Sequence, residues 1–177
     1  MQVKISTVTS CYKGEKYLPL FLQKLPQQTI FEQLEVVLVH NEPLPQEVQL
    51  VKEFQSKYPG RLKHIIVDKV EPLYKSWNRC LEESTGQYVT IWNIDDLRTP
   101  WSLEAQVKVL DENKEIGVSH GNFIVVSQFG LTEGLFVDHF EVGNSPNKEL
   151  TRSMVLGPFF MWRKSLCKTV GYFSLYI

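Results

Sequence analysis

Residues Gly86–Trp101, GQYVTIWNIDDLRTPW, pass in quick succession from a buried strand to an acidic turn to a helix start. Tyr88 to Ile91 is a short apolar, β-branched run, the composition of a strand covered on both faces. It runs into Asn93-Ile94-Asp95-Asp96, which sets two adjacent carboxylates where such a strand would emerge. Thr99-Pro100 then supplies an N-cap residue and a proline at the first helical position. In open α/β sheets, ligands sit in the crevice at the carboxyl ends of strands. Hard cations such as magnesium take one or two carboxylates together with substrate phosphates. The pattern therefore predicts a metal and diphosphate site at Asp95 and Asp96. The competing reading is a surface Asx-turn that caps the next helix.

Outward from this segment the chain reads as repeated strand–helix units. Val3 to Thr9 is the first predicted strand. Tyr17, Leu18, Phe21, Leu22 and Leu25 form the stripe of a helix after it. Val36 to Val39 is a second strand ending in His40-Asn41-Glu42-Pro43, and Val48, Val51, Phe54 and Tyr58 mark a helix stopped by Pro59-Gly60. Ile65 to Val67 is a third strand, and Leu73, Trp77, Cys80 and Leu81 make the next helical stripe. Leu103, Val107 and Leu110 belong to the helix after the acidic turn. Four such units predict a mostly parallel sheet with helices on both faces. Beyond them, Ile116–Val126 and Gly130–Val137 read as longer, partly antiparallel strands. Residues 141–148, EVGNSPNK, read as a mobile loop, and Phe159 to Arg163 as a last strand. The apolar SLYI end suggests a truncated or divided protein.

Composition narrows the function classes. The chain has 177 residues, 43% of them hydrophobic, and a net charge of −1. That suits one ordinary domain and leaves no basic footprint for nucleic acid. Three cysteines, Cys11, Cys80 and Cys167, share no metal-type spacing and suit a reducing cytosol. There is no signal-peptide core and no apolar run long enough to span a bilayer. Attachment at the inner face of a membrane stays compatible with this. Walker A, GxGxxG and GxSxG patterns are all missing. What converges instead is one predicted rim of strand ends: Ser10 and Tyr12, His40 and Asn41, Asp95 and Asp96. Asn78, beside a core Trp77, lies within reach of it. His64 reads as a strand-entrance residue without a role.

Four segments, in order, make the chain similar to the family 2 glycosyltransferases, nucleotide-diphospho-sugar transferases of GT-A fold. TVTSCYKGEKYL (from Thr7) resembles the family's opening strand and helix. LEVVLVHNEP (from Leu34) resembles the second strand, which normally ends in Asp-Asp-Gly-Ser. SWNRCLEESTGQYVTIWNIDDLRTPWSLE (from Ser76) resembles the helix, glycine, strand and Asp-x-Asp segment. GPFFMWRKSLCKTVGYF (from Gly157) resembles the strand and helix before the acceptor region. The resemblance implies a single GT-A-like domain over 1–177: a Rossmann-like, mostly parallel sheet with a partly antiparallel C-terminal part. It implies that Asp96 holds magnesium or manganese on the donor diphosphate, with Asp95 aiding at metal or ribose. Ser10 and Tyr12 would line the nucleoside pocket, and Asn41 and His40 would lie beneath the base. The implied reaction is inverting sugar transfer to a saccharide, lipid or protein acceptor, as in polysaccharide biosynthesis.

The chain also departs from the family. His40-Asn41 replaces the acidic strand end, Asn93 replaces the first acid of the Asp-x-Asp run, and Trp77 stands where a basic residue is common. The family's usual catalytic base falls after the Gly-Tyr-Phe segment, past this chain, which leaves Asp138 and Glu141 as stand-ins. A non-catalytic sugar-nucleotide-binding or scaffolding domain is therefore the alternative. A sugar nucleotidyltransferase fits less well, because SCYKGEKYL lacks that class's Gly-rich basic loop.

Overall fold

The computed structural model describes residues 2–137 and 158–174. A six-stranded sheet is built from β1 (Ile5–Cys11), β2 (Leu34–Asn41), β3 (Leu62–Val67), β4 (Tyr88–Ile91), β5 (Val118–His120) and β8 (Phe160–Arg163). Their order across the sheet is β3-β2-β1-β4-β8-β5. β1 pairs in parallel with both β2 and β4, and β2 with β3, whereas β8 runs antiparallel to β4 and β5. A separate hairpin joins β6 (Phe123–Val125) to β7 (Leu135–Val137). The helices are α1 (Leu18–Lys24), α2 (Pro45–Lys57), α3 (Leu73–Glu83), α4 (Ser102–Glu112) and a short α5 (Cys167–Val170).

The sheet has an apolar layer on each face because its strands alternate side chains between two covered sides. Leu34, Val36 and Leu38 of β2 join Ile5, Phe21, Val51, Leu103 and Leu110 in the layer under α1, α2 and α4. Val37 and Val39 face the other way, with Val8, Cys80, Leu81, Val89 and Trp162. β2 is buried along its whole length, and its centre, Val36–Val39, is an unbroken apolar run.

The strand order sets the position of the site. From β1 the chain builds outward through β2 and β3, then returns to place β4 on β1's other side. β1 and β4 therefore flank a topological switch point, where a crevice opens at the carboxyl ends of the strands. The register pairs Val8 with Ile91, and the Trp92 N–H donates to the Val8 carbonyl at 3.1 Å. That brings the loop after β1 beside the acidic turn after β4.

Two expectations are corrected. The helix after the acidic turn begins at Ser102, with Trp101 at its N-cap and no side-chain cap bond. Pro100 instead forms a turn before it, closed by the Ser102 N–H on the Thr99 carbonyl at 3.1 Å. Ile116–Val126 is likewise two short strands, interrupted at Gly121-Asn122, and Gly130–Val137 contributes only Leu135–Val137 as strand. Residues 141–148, Asp138 and the SLYI end from Leu175 lie outside the described residues.

Candidate functional site: an acidic turn at the switch point

The acidic turn is held by its own backbone. The Asp96 N–H donates to the Asn93 carbonyl at 3.2 Å, and the Trp92 indole donates to the Asp96 carbonyl at 3.0 Å. The Asn93 side-chain amide donates to Asp96 Oδ2 at 3.1 Å. Asp95 is exposed and Asp96 half-buried. Burial raises the Asp96 carboxyl pKa, and the adjacent Asp95 charge adds to the rise, against the Asn93 bond and Arg98. Because α4 has no side-chain cap, these carboxylates do not serve it, and the helix-capping alternative loses its basis.

Behind the turn lies Arg98, whose guanidinium is buried. It donates to Thr90 Oγ1 at 2.8 Å, the Ile91 carbonyl at 3.1 Å and Gln106 Oε1 at 3.1 Å. The Trp92 and Phe159 rings flank it at 5.5 and 4.9 Å. Burial draws its pKa down to about 9, with Asp96 opposing. This residue was missed in the sequence, since nothing in DLRTP distinguishes a buried arginine from an exposed one.

The ends of β1 and β2 divide their residues between the two faces of the sheet. Ser10 and Asn41 meet on the α3 side: Asn41 Nδ2 donates to Ser76 Oγ at 3.2 Å and approaches Ser10 Oγ at 3.5 Å. Asn41 Oδ1 accepts from the Glu71 N–H at 3.0 Å. The Glu71 carboxylate accepts from Ser76 Oγ at 3.2 Å and from Arg79 Nε at 2.9 and 3.0 Å. Lys75 Nζ lies 3.5 Å away. Glu71 and Arg79 are thus charged neighbours of Asn41 that the sequence reading did not single out.

His40 goes elsewhere. Its side chain is fully buried on the opposite face, where Nδ1 shares a proton with His64 Nε2 at 3.1 Å and Nε2 lies 3.6 Å from Glu47 Oε2. The reason is the alternation of β2, which puts neighbouring residues 40 and 41 on different sides. His64, read as a bystander, is therefore His40's partner. Burial pushes His64 down to about 4, with His40 and Lys52 adding to the effect, and burial also lowers His40 against the pull of Glu47.

Tyr12 is exposed at the mouth of the β1 loop, with Lys13 Nζ 5.1 Å from its ring centre. Lys13 and Glu42, the residues just past the ends of β1 and β2, have φ of 51° and 45°. Left-handed backbone at non-glycine residues collects at functional sites, where the surrounding fold holds it. Asn78 is engaged away from the rim. Its side-chain amide donates to the Phe173 carbonyl at 2.8 Å and its oxygen accepts the Phe173 N–H at 3.0 Å. Trp77 packs beside it against Phe173, with ring centres 5.2 Å apart.

A parallel sheet with a switch point, an acidic turn at that point and antiparallel strands beyond it are together the plan of the GT-A class of α/β domains. Solved structures share it. Staphylococcus aureus TarS 1-349 superposes with a TM-score of 0.77 at 24% identity, over 97% of this chain and 50% of that one. The mannosyltransferase PcManGT of Pyrobaculum calidifontis, in complex with GDP-Man and Mn2+, gives 0.72 at 15% identity, over 100% of this chain and 49% of that one. The chain belongs to glycosyl transferase family 2, whose sequence model matches residues 6–171. Among curated relatives, the putative glycosyltransferase EpsE of Bacillus subtilis (strain 168) is 27% identical over 128 residues, covering 72% of this chain. The chain spans 46% of that relative's length, and 28% of the length of the S. aureus poly(ribitol-phosphate) beta-N-acetylglucosaminyltransferase TarS. No helix among the described residues is long and apolar enough to cross a membrane.

Proposed function

We propose that this rim is the donor site of an inverting glycosyltransferase that takes its sugar from a nucleoside diphosphate. The observation that carries the reading is the acidic turn Asn93–Asp96 at the β1/β4 switch point. Two carboxylates that repel one another, one of them partly desolvated, suit a hard divalent cation such as magnesium or manganese. When bound there, such a cation neutralises charge developing on the leaving diphosphate. Asp95 and Asp96 would hold it. Ser10 and Tyr12 lie beside the space for the nucleoside, and Asn41 closes its floor on the α3 side. Solved relatives carry UDP-GlcNAc in TarS and GDP-Man in PcManGT, so these are the donors to try. The acceptor would be a saccharide, lipid or protein hydroxyl deprotonated by a general base, and the inner face of the membrane is a fitting place for such work.

Calorimetric titration with each donor, with and without manganese, tests the proposal. Binding should require the cation, and Asp95→Asn or Asp96→Asn should weaken it at least about tenfold, roughly 1.4 kcal/mol. Cation-independent binding, or binding indifferent to both substitutions, would refute it. A donor-binding domain that transfers nothing is the second reading. It is favoured by a β2 that ends in His40-Asn41 rather than in acidic residues, with His40 buried and Asn41 tied to Ser76 and Glu71. Donor binding without hydrolysis or transfer would select it.

A further inference from the structure

Beneath the rim, on the face away from Asn41, three side chains of different chemistry converge. Cys11 ends β1, His40 lies near the end of β2, and Glu47 sits in the first turn of α2; all three are buried. Their Sγ, imidazole nitrogen and carboxylate oxygen lie within 4.8 Å of one another. His40 Nε2 has no hydrogen-bond partner although its side chain is fully buried. A buried, unpaired polar atom calls for a cause, and an ion is one of the few available.

We propose that Cys11, His40 and Glu47 form a buried site for a zinc-class divalent ion, separate from the acidic rim. The donor set fits that class. Sulfur, imidazole and carboxylate together suit zinc better than the all-oxygen shell favoured by magnesium. A thiolate and a carboxylate carry two negative charges, which a divalent ion balances, and the neutral imidazole adds a third bond. Tetrahedral zinc at its usual bond lengths separates ligand atoms by about 3.3–3.6 Å. His40 Nε2 and Glu47 Oε2 already stand 3.6 Å apart, and Cys11 Sγ lies within 4.8 Å of a ligand atom of each.

The surroundings orient each ligand. His64 bonds the far nitrogen of His40 at 3.1 Å, as outer partners of metal-bound histidines do. The Glu47 oxygens each accept a backbone N–H, from Gly14 and from Leu44, both at 2.7 Å. Each oxygen keeps a second lone pair for an ion. A Cβ at Gly14 would lie 2.5 Å from Cys11 Sγ and 3.2 Å from Glu47 Oε1, so glycine leaves the triad its room. A bound ion would tie the ends of β1 and β2 to the start of α2, beside Ser10 in β1 and the loop that carries Tyr12.

Chelator-treated protein titrated with cobalt(II), then zinc, tests this. The expected result is about one tightly bound cobalt per chain with a near-ultraviolet thiolate-to-cobalt band that zinc abolishes. Cys11→Ser should lose the band, and His64→Gln should weaken binding about 10–100-fold. The double variant Asp95→Asn/Asp96→Asn should keep the thiolate-to-cobalt band of the wild type. The wild-type spectrum keeps the test decisive even where Cys11→Ser fails to fold. Folded wild type that shows no thiolate band, or a band that persists in folded Cys11→Ser, would overturn the proposal.

Discussion

Glu35→Gln removes a single charge from the bottom of the sheet and leaves the side-chain shape unchanged. Glu35 is buried on β2, where its carboxylate accepts from Ser6 Oγ at 2.6 Å, the Thr85 N–H at 2.8 Å and Thr85 Oγ1 at 3.0 Å. Lys63 Nζ is 3.0 Å away and partly exposed. Burial alone would raise this carboxyl's pKa, yet the bonds from Ser6, Thr85 and Lys63 outweigh it, and the net shift is downward. Neutralising the acceptor weakens three charge-assisted bonds by about 1 kcal/mol each. The half-exposed lysine adds only about 0.5 kcal/mol after solvent screening. Relief of the carboxylate's own desolvation offsets part of this, leaving a net cost of about 1–3 kcal/mol. For a chain of this size that lowers Tm by roughly 2–12 °C.

The pH dependence follows from the direction of the shift. A carboxyl whose folded pKa is depressed stabilises the fold fully above its unfolded pKa of about 4.3. That contribution is lost as the pH falls through the lower, folded value. The Tm gap between wild type and Glu35→Gln should therefore be full at neutral pH and close in acid. Thermal denaturation by circular dichroism across that range measures it. Because Glu35 sits at the opposite end of the sheet from Asp95 and Asp96, cation-dependent donor binding at a temperature where both proteins are folded should be unchanged. An equal Tm at neutral pH, or a gap that persists unchanged in acid, would refute the account.

Gly86→Ala acts on the same corner, where an added Cβ would lie 2.7 Å from the Ile5 carbonyl carbon and the Ser6 nitrogen. These are backbone atoms that cannot turn aside, so the substitution should cost about 1–3 kcal/mol in chemical denaturation. Asn78→Ala removes both bonds to the Phe173 backbone, and amide exchange at Phe173 should speed up while the global Tm moves little. A global loss of stability with unchanged exchange at Phe173 would contradict the local role given to Asn78.

The residues differ in how much of their role could be read locally. The Tyr88–Ile91 run and the Asn93–Asp96 turn carry their meaning in consecutive positions, so strand, acidic tip and position at a sheet edge were all legible. The same holds for the helices with apolar stripes. Short strands such as Val118–His120 were less so, because the apolar pattern resumes at Phe123–Val125 after the Gly121-Asn122 break, although of the two only Val118–His120 pairs with β8. The start of α4 was misplaced because Thr99-Pro100 satisfies a local rule that the turn before Ser102 also satisfies.

Local pattern by itself determined the class of the fold, since apolar periodicity and turn residues limit how such elements can pack. It also located the acidic turn, because both carboxylates are neighbours in the chain. Only the tertiary structure decided which face of the sheet each strand-end residue takes, and so joined Asn41 to Ser10, Ser76 and Glu71 but His40 to Cys11, Glu47 and His64. Those partners are far apart in sequence, and a one-residue difference along β2 reverses the side. Strand alternation and register, which depend on long-range pairing, carry that information.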